Sequence, residues 1–142
     1  MRALTRLTIS IAIIFVMATL TLAQQISISI TDITANQRIC GTVSGLSPQD
    51  YPNYKIIIYV HTDQWYVHPY AGQDEGKSWA AIQQDGKWQI QTVQREFKAD
   101  KIAALLVKRN YPEPSKVESL ERIQKNAVLV KELRDTPDYG KL

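Results

Sequence analysis

The sequence has very few of the residues that build disulfide frameworks and metal sites. It contains one cysteine, Cys40, and two histidines, His61 and His68. A single cysteine cannot form an intramolecular disulfide, so we expect Cys40 to be a small buried residue on a strand. The alternative is a reactive or intermolecular thiol.

The sequence also lacks any run of like charge. Its formal charge of +3 includes Arg2 and Arg6, and without residues 1–23 Lys and Arg number 15 against 14 Asp and Glu, which leaves +1. A chain this close to neutrality has no electrostatic footprint for nucleic acid or acidic lipid. We therefore expect no nucleic-acid partner.

No catalytic motif is present. The imidazoles of His61 and His68 are seven positions apart around Asp63, a spacing that matches no strict metal signature, and exposed histidines at strand ends are the simpler interpretation. Serine, histidine and aspartate occur without a nucleophile elbow. Asp74 and Glu75 are neighbours in a glycine-flanked loop, where they are better suited to solvation than to acid–base catalysis. We predict a protein without catalysis, metal or cofactor; the alternative is a small secreted hydrolase or metal-dependent enzyme.

Residues 1–23 have the order of a secretory signal peptide. Arg2 and Arg6 form a basic region, residues 9–22 are almost wholly apolar, and the segment ends with small residues up to Ala23. The apolar run is shorter than the roughly 20 residues of a spanning helix, which makes an uncleaved anchor the less favoured alternative. We predict cleavage, export to the periplasm or the extracellular space, and no membrane contact afterwards.

The rest of the chain has the pattern of short strands separated by turn signals, which predicts a mainly β protein of about seven to eight strands, arranged as a β-sandwich. We assign residues 24–133 to one domain and residues 134–142 to a flexible tail. The predicted strands are residues 25–30, 38–46, 54–60, 65–70, 79–83, 87–93, 102–107 and 127–133. The sequence assigns no oligomeric state.

Two of these segments, residues 54–60 and 102–107, carry apolar side chains on both alternation faces. A strand with this pattern is covered on both sides, so we expect both to be central strands. Residues 54–70, which contain the first of them and a hairpin, form the predicted centre of the fold. Gly41 and Gly45 suggest a bulge or a close approach of the backbone in the second strand.

One amphipathic helix is predicted before the last strand. Ser115 and Glu118 have the spacing of a capping box at a helix start. Apolar residues then follow at near-helical spacing: Val117, Leu120, Ile123 and Ala127. We expect this apolar face to cover the sheet that holds the two central strands. The alternative is docking on a partner helix.

The aromatic residues provide the best functional hypothesis. In a strand that starts at Trp65, alternation places Trp65 and Val67 on one face and Tyr66, His68 and Tyr70 on the other. Trp65 and Val67 form the more apolar face, so we expect the second set to be an exposed ligand-binding stripe. Such a stripe suits stacking on sugar rings or contact with an envelope protein. The alternative is that both tyrosines only pack against neighbouring elements.

Several of these segments together resemble a small immunoglobulin-like or fibronectin-like accessory module of exported bacterial proteins. The resemblance is carried by the Gly41, Val43 and Gly45 pattern, residues 54–60, residues 65–69, the Asp85 to Trp88 turn and residues 103–107. Modules of this kind accompany secreted carbohydrate-active enzymes. The resemblance implies an immunoglobulin-like β-sandwich with a binding or spacer role, and polysaccharide or an envelope protein as its partner.

Overall fold

The computed structural model describes residues 24–96, 98–124 and 127–135. In these residues the protein is mainly β, as predicted. The strands are β1 (Ser27–Thr34), β2 (Arg38–Ser44), β3 (Tyr54–His61), β4 (Trp65–Val67), β5 (Lys87–Gln91), β6 (Lys101–Lys108), β7 (Lys116–Val117) and β8 (Val128–Asp135). The helices are a 3-10 helix, Pro48–Asn53, and one α-helix, α1 (Leu120–Gln124).

The strands form two antiparallel sheets. The first has three strands in the order β1-β2-β5, and the second has five strands in the order β7-β4-β3-β6-β8. Side chains of the two sheets meet in one buried cluster, an arrangement compatible with a β-sandwich. We call the side of the five-stranded sheet that meets the smaller sheet its inner face, and the opposite side its outer face.

The inner face carries the larger hydrophobic cluster. Ile56 and Ile58 of β3 and Leu106 of β6 pack there against Ile39 and Trp88 of the smaller sheet. All five side chains are at most 1% exposed. Gly41 of β2 permits this packing, because a Cβ there would collide with the Trp88 indole and the Ser29 carbonyl. The close backbone approach that the sequence suggested at this glycine is confirmed.

The outer face carries a second cluster. Ile57 and Tyr59 of β3 and Leu105 of β6 pack there against Leu120 and Ile123 of α1. Alternation along β3 therefore buries both of its faces, one under the second sheet and the other under the helix. The prediction that β3 and β6 are central strands covered on both sides is confirmed.

The helix covers the outer face as predicted, but its boundaries were predicted wrongly. Lys116 and Val117 form β7, which pairs with Trp65 and Tyr66 of β4, and α1 begins only at Leu120. Ser115 does not cap a helix; its carbonyl accepts a hydrogen bond from Val67 N at 3.0 Å. Lys116 and Val117 pair as a strand with the free edge of β4, so tertiary pairing overrides the local capping signal.

Other sequence predictions also require correction. Residues 79–83 form no strand: Ala80 makes one isolated bridge to Ile56. Cys40 lies on a strand but is half-buried rather than buried, because its side chain points to the solvent side of the three-stranded sheet. Strand β8 extends to Asp135, so the first two residues assigned to the flexible tail belong to the sheet.

The remaining predictions on the chain ends concern residues 1–23 and 136–142, which lie outside the described residues. In the part of the chain that the structure describes, no helix has the length and apolar character to cross a membrane.

Candidate functional site

The predicted stripe begins on β4, where alternation holds. Trp65 and Val67 are buried in the outer cluster, at 7% and 6% exposure, while Tyr66 is half-buried on the opposite side. The Tyr66 hydroxyl donates to Asp63 Oδ1 at 3.0 Å. This hydrogen bond raises the pKa of the Tyr66 hydroxyl. The pKa of the Asp63 carboxyl is lowered, mainly by its hydrogen bond with Thr62 and also by the one with Tyr66. The ring is thereby oriented by a charged partner in the turn before β4.

His68 is not part of an exposed stripe. Strand β4 ends at Val67, and the next residue is only 3% exposed. The His68 backbone N–H donates to the Ile58 carbonyl at 2.9 Å, and the imidazole Nε2 lies 2.6 Å from Thr92 Oγ1. Thr92 follows β5 on the inner side of the smaller sheet, so this contact joins the two sheets.

The His68 ring is neutral in the folded protein at pH 7. Burial lowers its pKa to about 4, with a further contribution from the positive charge of Arg95. A neutral, buried imidazole bonded to a hydroxyl supports the loop that follows it. Its predicted exposure was wrong because period-2 alternation applies only while the chain remains in the strand.

Tyr70 is half-buried and paired with Arg95. The guanidinium carbon of Arg95 lies 5.2 Å from the centre of the Tyr70 ring, within the range of a cation–π contact. The same guanidinium donates through Nη2 to the Pro69 carbonyl. The ring and the cation are thus held together by two contacts at the surface of the protein.

A compact loop, residues 69–79, presents Tyr70. It leaves the edge of β3 after His68 pairs with Ile58, and it returns where Ala80 pairs with Ile56. Ser78 is fully buried and organises the loop: its hydroxyl donates to the Tyr70 carbonyl and accepts from Gln73 N, both at 2.7 Å. The loop is an Ω-type excursion with its own internal packing.

The loop is also tied to the smaller sheet. Gln91 N of β5 donates to the Gly76 carbonyl at 2.8 Å, and Gly76 N donates to the Trp79 carbonyl at 2.7 Å. Its outer surface is polar, since the exposed residues are Ala71, Gly72, Gln73, Asp74, Glu75 and Lys77. Both members of the adjacent carboxylate pair are in this exposed part, as the sequence predicted. The result is an ordered, solvent-exposed surface on a rigid scaffold.

The polar groups weighed as a metal site do not converge. His61 Nδ1 lies 2.7 Å from Asp100 Oδ1, and this hydrogen bond lowers the pKa of the Asp100 carboxyl. Asp63 accepts from Thr62 and Tyr66, while His68 bonds to Thr92. Among residues 24–96, 98–124 and 127–135 there is no group of three His, Cys, Asp or Glu side chains placed to hold a metal ion.

Sequence reasoning missed a buried ion pair on the outer face. The Lys55 ammonium lies 2.6 Å from Glu113 Oε2 and donates to the Tyr111 carbonyl at 2.8 Å. The Tyr59 hydroxyl donates to the Pro114 carbonyl at 2.6 Å, and burial raises the pKa of that phenol. The sequence signal for this ion pair is a lysine, Lys55, inside an otherwise apolar strand. These contacts fasten residues 111–114 across the sheet, and we assign them a structural role.

The two tryptophans around the Asp85 turn differ in their surroundings. Trp88 is 1% exposed in the inner cluster. Trp79 is half-buried at the rim of the outer cluster, and the guanidinium carbon of Arg109 lies 4.1 Å from its ring centre.

The described surface thus offers one ordered loop whose Tyr70 ring is paired with the Arg95 guanidinium, and a second half-buried tyrosine, Tyr66, on β4. Comparisons with protein-family models, with curated proteins and with solved structures found no match.

Proposed function

We propose that the protein is an exported, non-catalytic binding module of the immunoglobulin-like or fibronectin-like type. Its contact surface is centred on Tyr70 and Arg95, with Tyr66 as a second aromatic contact. The observation that supports this proposal is the contact between Tyr70 and Arg95. The Tyr70 ring is half-buried on the 69–79 loop, which the buried Ser78 hydroxyl holds in shape, and the guanidinium carbon of the exposed Arg95 lies 5.2 Å from the ring centre. Loops fixed on a rigid scaffold are common positions for binding residues.

The chemistry of this surface favours a polysaccharide ligand. A tyrosine ring supplies an apolar face together with a polar hydroxyl, which suits contact with a sugar ring. Arg95 supplies hydrogen-bond donors beside that ring, and the exposed Gln73 and Asp74 side chains of the same loop add further donors and acceptors. The pairing of ring and guanidinium in the free protein reduces the ordering cost of binding.

His68 has a supporting role in this proposal. Its contact with Thr92 fixes the start of the 69–79 loop against the smaller sheet. Because its ring is buried, His68 contributes to ligand binding through the position of the loop rather than by touching the ligand.

The test measures retention on insoluble peptidoglycan, chitin and cellulose for the protein and its Tyr70→Ala variant. We expect a roughly tenfold or greater weakening of association for Tyr70→Ala, because a stacking aromatic loses binding energy when truncated. Tyr70→Phe keeps the ring and should bind within about threefold of the original protein. A smaller additional loss is expected for Tyr66→Ala.

Tyr54→Ala is the matched control, since Tyr54 is also half-buried but begins β3 outside the loop. Its retention should be unchanged, and a thermal melt should show that Tyr70→Ala remains folded. Equal retention of Tyr70→Ala and the original protein would refute this surface. Retention only on envelope material, abolished when that material is treated with protease, would refute polysaccharide and identify a protein ligand.

A further inference from the structure

The outer edge of β8 differs from the other strand edges of the protein. In the described part of the chain, β8 has a hydrogen-bonded neighbour on one side only, β6. It is eight residues long and ends the five-stranded sheet. A strand edge of this length presents a row of backbone donors and acceptors, which is a template for pairing with another strand.

Each of the remaining edges is short or is contacted by another part of the chain. At the opposite end of the same sheet, β7 has only two residues. In the smaller sheet, Gln91 N of β5 bonds to the Gly76 carbonyl of the 69–79 loop. The edge of β1 is blocked at Ile30, whose N–H donates to Glu132 and whose carbonyl accepts from Arg134. Side chains of β8 thus occupy the edge of β1 at Ile30, whereas the edge of β8 itself has no hydrogen-bonded neighbour in the described residues.

The sequence of β8 is complementary to itself in one antiparallel register. If two copies pair about a two-fold axis at Leu133, Lys131 lies opposite Asp135 of the partner subunit. Glu132 then lies opposite Arg134 of the partner subunit, and the two Leu133 side chains face each other. Every charged residue from position 131 to position 135 meets an opposite charge, which favours a cross-strand pair.

Neighbouring registers are unfavourable. A shift by one residue places Lys131 opposite Arg134 in one direction and Glu132 opposite Asp135 in the other. A shift by two residues places Glu132 opposite itself or Arg134 opposite itself. Since like charges directly opposite each other destabilise a strand pair, the charges select the register centred on Leu133.

The exposed apolar residue of β8 lies at the centre of this register. Leu133 is 47% exposed, and it is paired with Ala103, whose side chain belongs to the outer cluster. In the two-fold arrangement the two Leu133 side chains cover each other on the outer face. Glu132 and Arg134 lie on the inner side, where their ion pair already holds them in place, with Arg134 Nε 2.6 Å from Glu132 Oε1.

We infer that this chain forms a two-fold symmetric dimer through antiparallel pairing of β8 with β8, centred on Leu133, which joins the two five-stranded sheets into one continuous sheet. The pairing involves a short strand and little apolar surface, so it belongs to the weak class of interfaces, with a dissociation constant on the order of micromolar. This inference is independent of the proposed ligand surface, because Tyr70 is on a loop that contacts β3 and β5.

Sedimentation velocity over a concentration series of the full chain tests the inference. We expect a reversible monomer–dimer equilibrium for the original protein. Lys131→Glu places a glutamate opposite Asp135 in both symmetric pairs and should weaken the dimer about tenfold or more. Leu133→Lys adds a like-charged pair at the two-fold axis and should give a monomer throughout the series.

The charge swap Lys131→Glu with Asp135→Lys is the rescue variant, because it restores opposite charges between positions 131 and 135 in the register centred on Leu133. It should recover the original dissociation constant within about threefold. Lys116→Glu is the matched control: Lys116 is an exposed lysine at the opposite edge of the same sheet, and its replacement should leave the dimer unchanged. Melts of each variant at low protein concentration check that it is folded.

A monomer at all concentrations would overturn the inference, and it is the result expected if another segment of the same chain covers β8. A dimer that is insensitive to both Lys131→Glu and Leu133→Lys would place the interface elsewhere. A dimer that is lost in Lys131→Glu but is not recovered by the charge swap would overturn the register.

Discussion

The two faces of the five-stranded sheet are both buried, yet they are covered in different ways. The inner face meets a second sheet, whose strands satisfy one another's backbone groups. The outer face meets a helix of five residues and the irregular segment that precedes it. A regular layer can therefore bring mainly apolar side chains to the core, whereas an irregular cover brings unpaired backbone groups that need side-chain partners.

The polar contacts at the two faces follow this difference. On the outer face, Lys55 bonds to Glu113 and to the Tyr111 carbonyl, and Tyr59 bonds to the Pro114 carbonyl. At the border of the inner face, His68 bonds to Thr92 as a neutral ring. The segment that covers the outer face is thus held by a charged pair. The three-stranded sheet on the inner face is held by apolar packing and one neutral polar contact. Three predictions separate these modes of attachment.

The largest effect is expected from Glu113→Ala. This change leaves the Lys55 ammonium without its carboxylate, although the Lys55 side chain is only 8% exposed. Removal of one partner from a buried ion pair costs about 3–5 kcal/mol, because the remaining charge is uncompensated. Urea denaturation measures this loss as a lower transition midpoint.

Replacement of the whole pair provides the comparison. Lys55→Met with Glu113→Leu removes both charges and should recover most of the stability, since apolar pairs of similar volume often equal or exceed buried ion pairs. If Glu113→Ala has the midpoint of the original protein, the ion pair does not hold the outer cover.

The second prediction compares two neighbouring leucines on opposite faces. Leu106 belongs to the inner cluster and Leu105 to the outer cluster, and both are 0% exposed. Truncation of a buried leucine to alanine costs about 2–5 kcal/mol, depending on how far the surroundings collapse into the cavity. We expect Leu106→Ala to fall in the upper part of this range and Leu105→Ala in the lower part, as the irregular cover can relax more easily than two paired sheets.

Denaturant unfolding of both variants under the same conditions measures this difference. Ile57→Val and Ile58→Val form a second matched pair, since these isoleucines are neighbours on β3 with opposite faces. A greater loss for Leu105→Ala than for Leu106→Ala would show that the outer cover is the more rigid layer.

The sequence predicted the inner and central parts of this fold well. Residues 54–60 and 102–107 carried the signal directly, because a strand buried on both faces has apolar side chains at nearly every position. In the predicted strand 87–93, Trp88, Ile90 and Thr92 alternate along the sequence, and all three are buried. These features depend on local periodicity, which a single sequence contains.

The outer cover and the candidate site were harder to predict because they depend on contacts between distant residues. Lys116 and Val117 form a strand only because β4 offers them an edge, and His68 is buried only because Thr92 lies opposite it. Nothing near Lys55 in sequence indicates that Glu113 is its partner. The sequence indicated a glycine-flanked loop around Asp74 and Glu75, but the internal order of that loop depends on the buried Ser78 hydroxyl.

The third and smallest effect concerns the neutral contact at the inner face. The pKa of His68 is lowered from 6.5 to about 4 in the folded protein, chiefly by burial. Between these values the unfolded chain binds a proton that the folded protein does not, so stability rises with pH in this window. The contribution of the neutral His68 ring to the free energy of unfolding is fully present above pH 6.5. It is lost as the pH falls toward 4, by up to about 3 kcal/mol.

The free energy of unfolding, measured from pH 7.5 to pH 4.5, should therefore decline more steeply for the original protein than for His68→Gln. Glutamine does not titrate, and its amide can still bond to the Thr92 hydroxyl, so the variant isolates the protonation effect from the loss of a contact. Arg95→Gln is a useful third curve: the Arg95 charge also lowers the His68 pKa, and its removal should make the decline slightly shallower. Parallel curves for the original protein and His68→Gln would mean that His68 titrates alike in the folded and unfolded states. The contact between His68 and Thr92 would then not depend on a neutral ring.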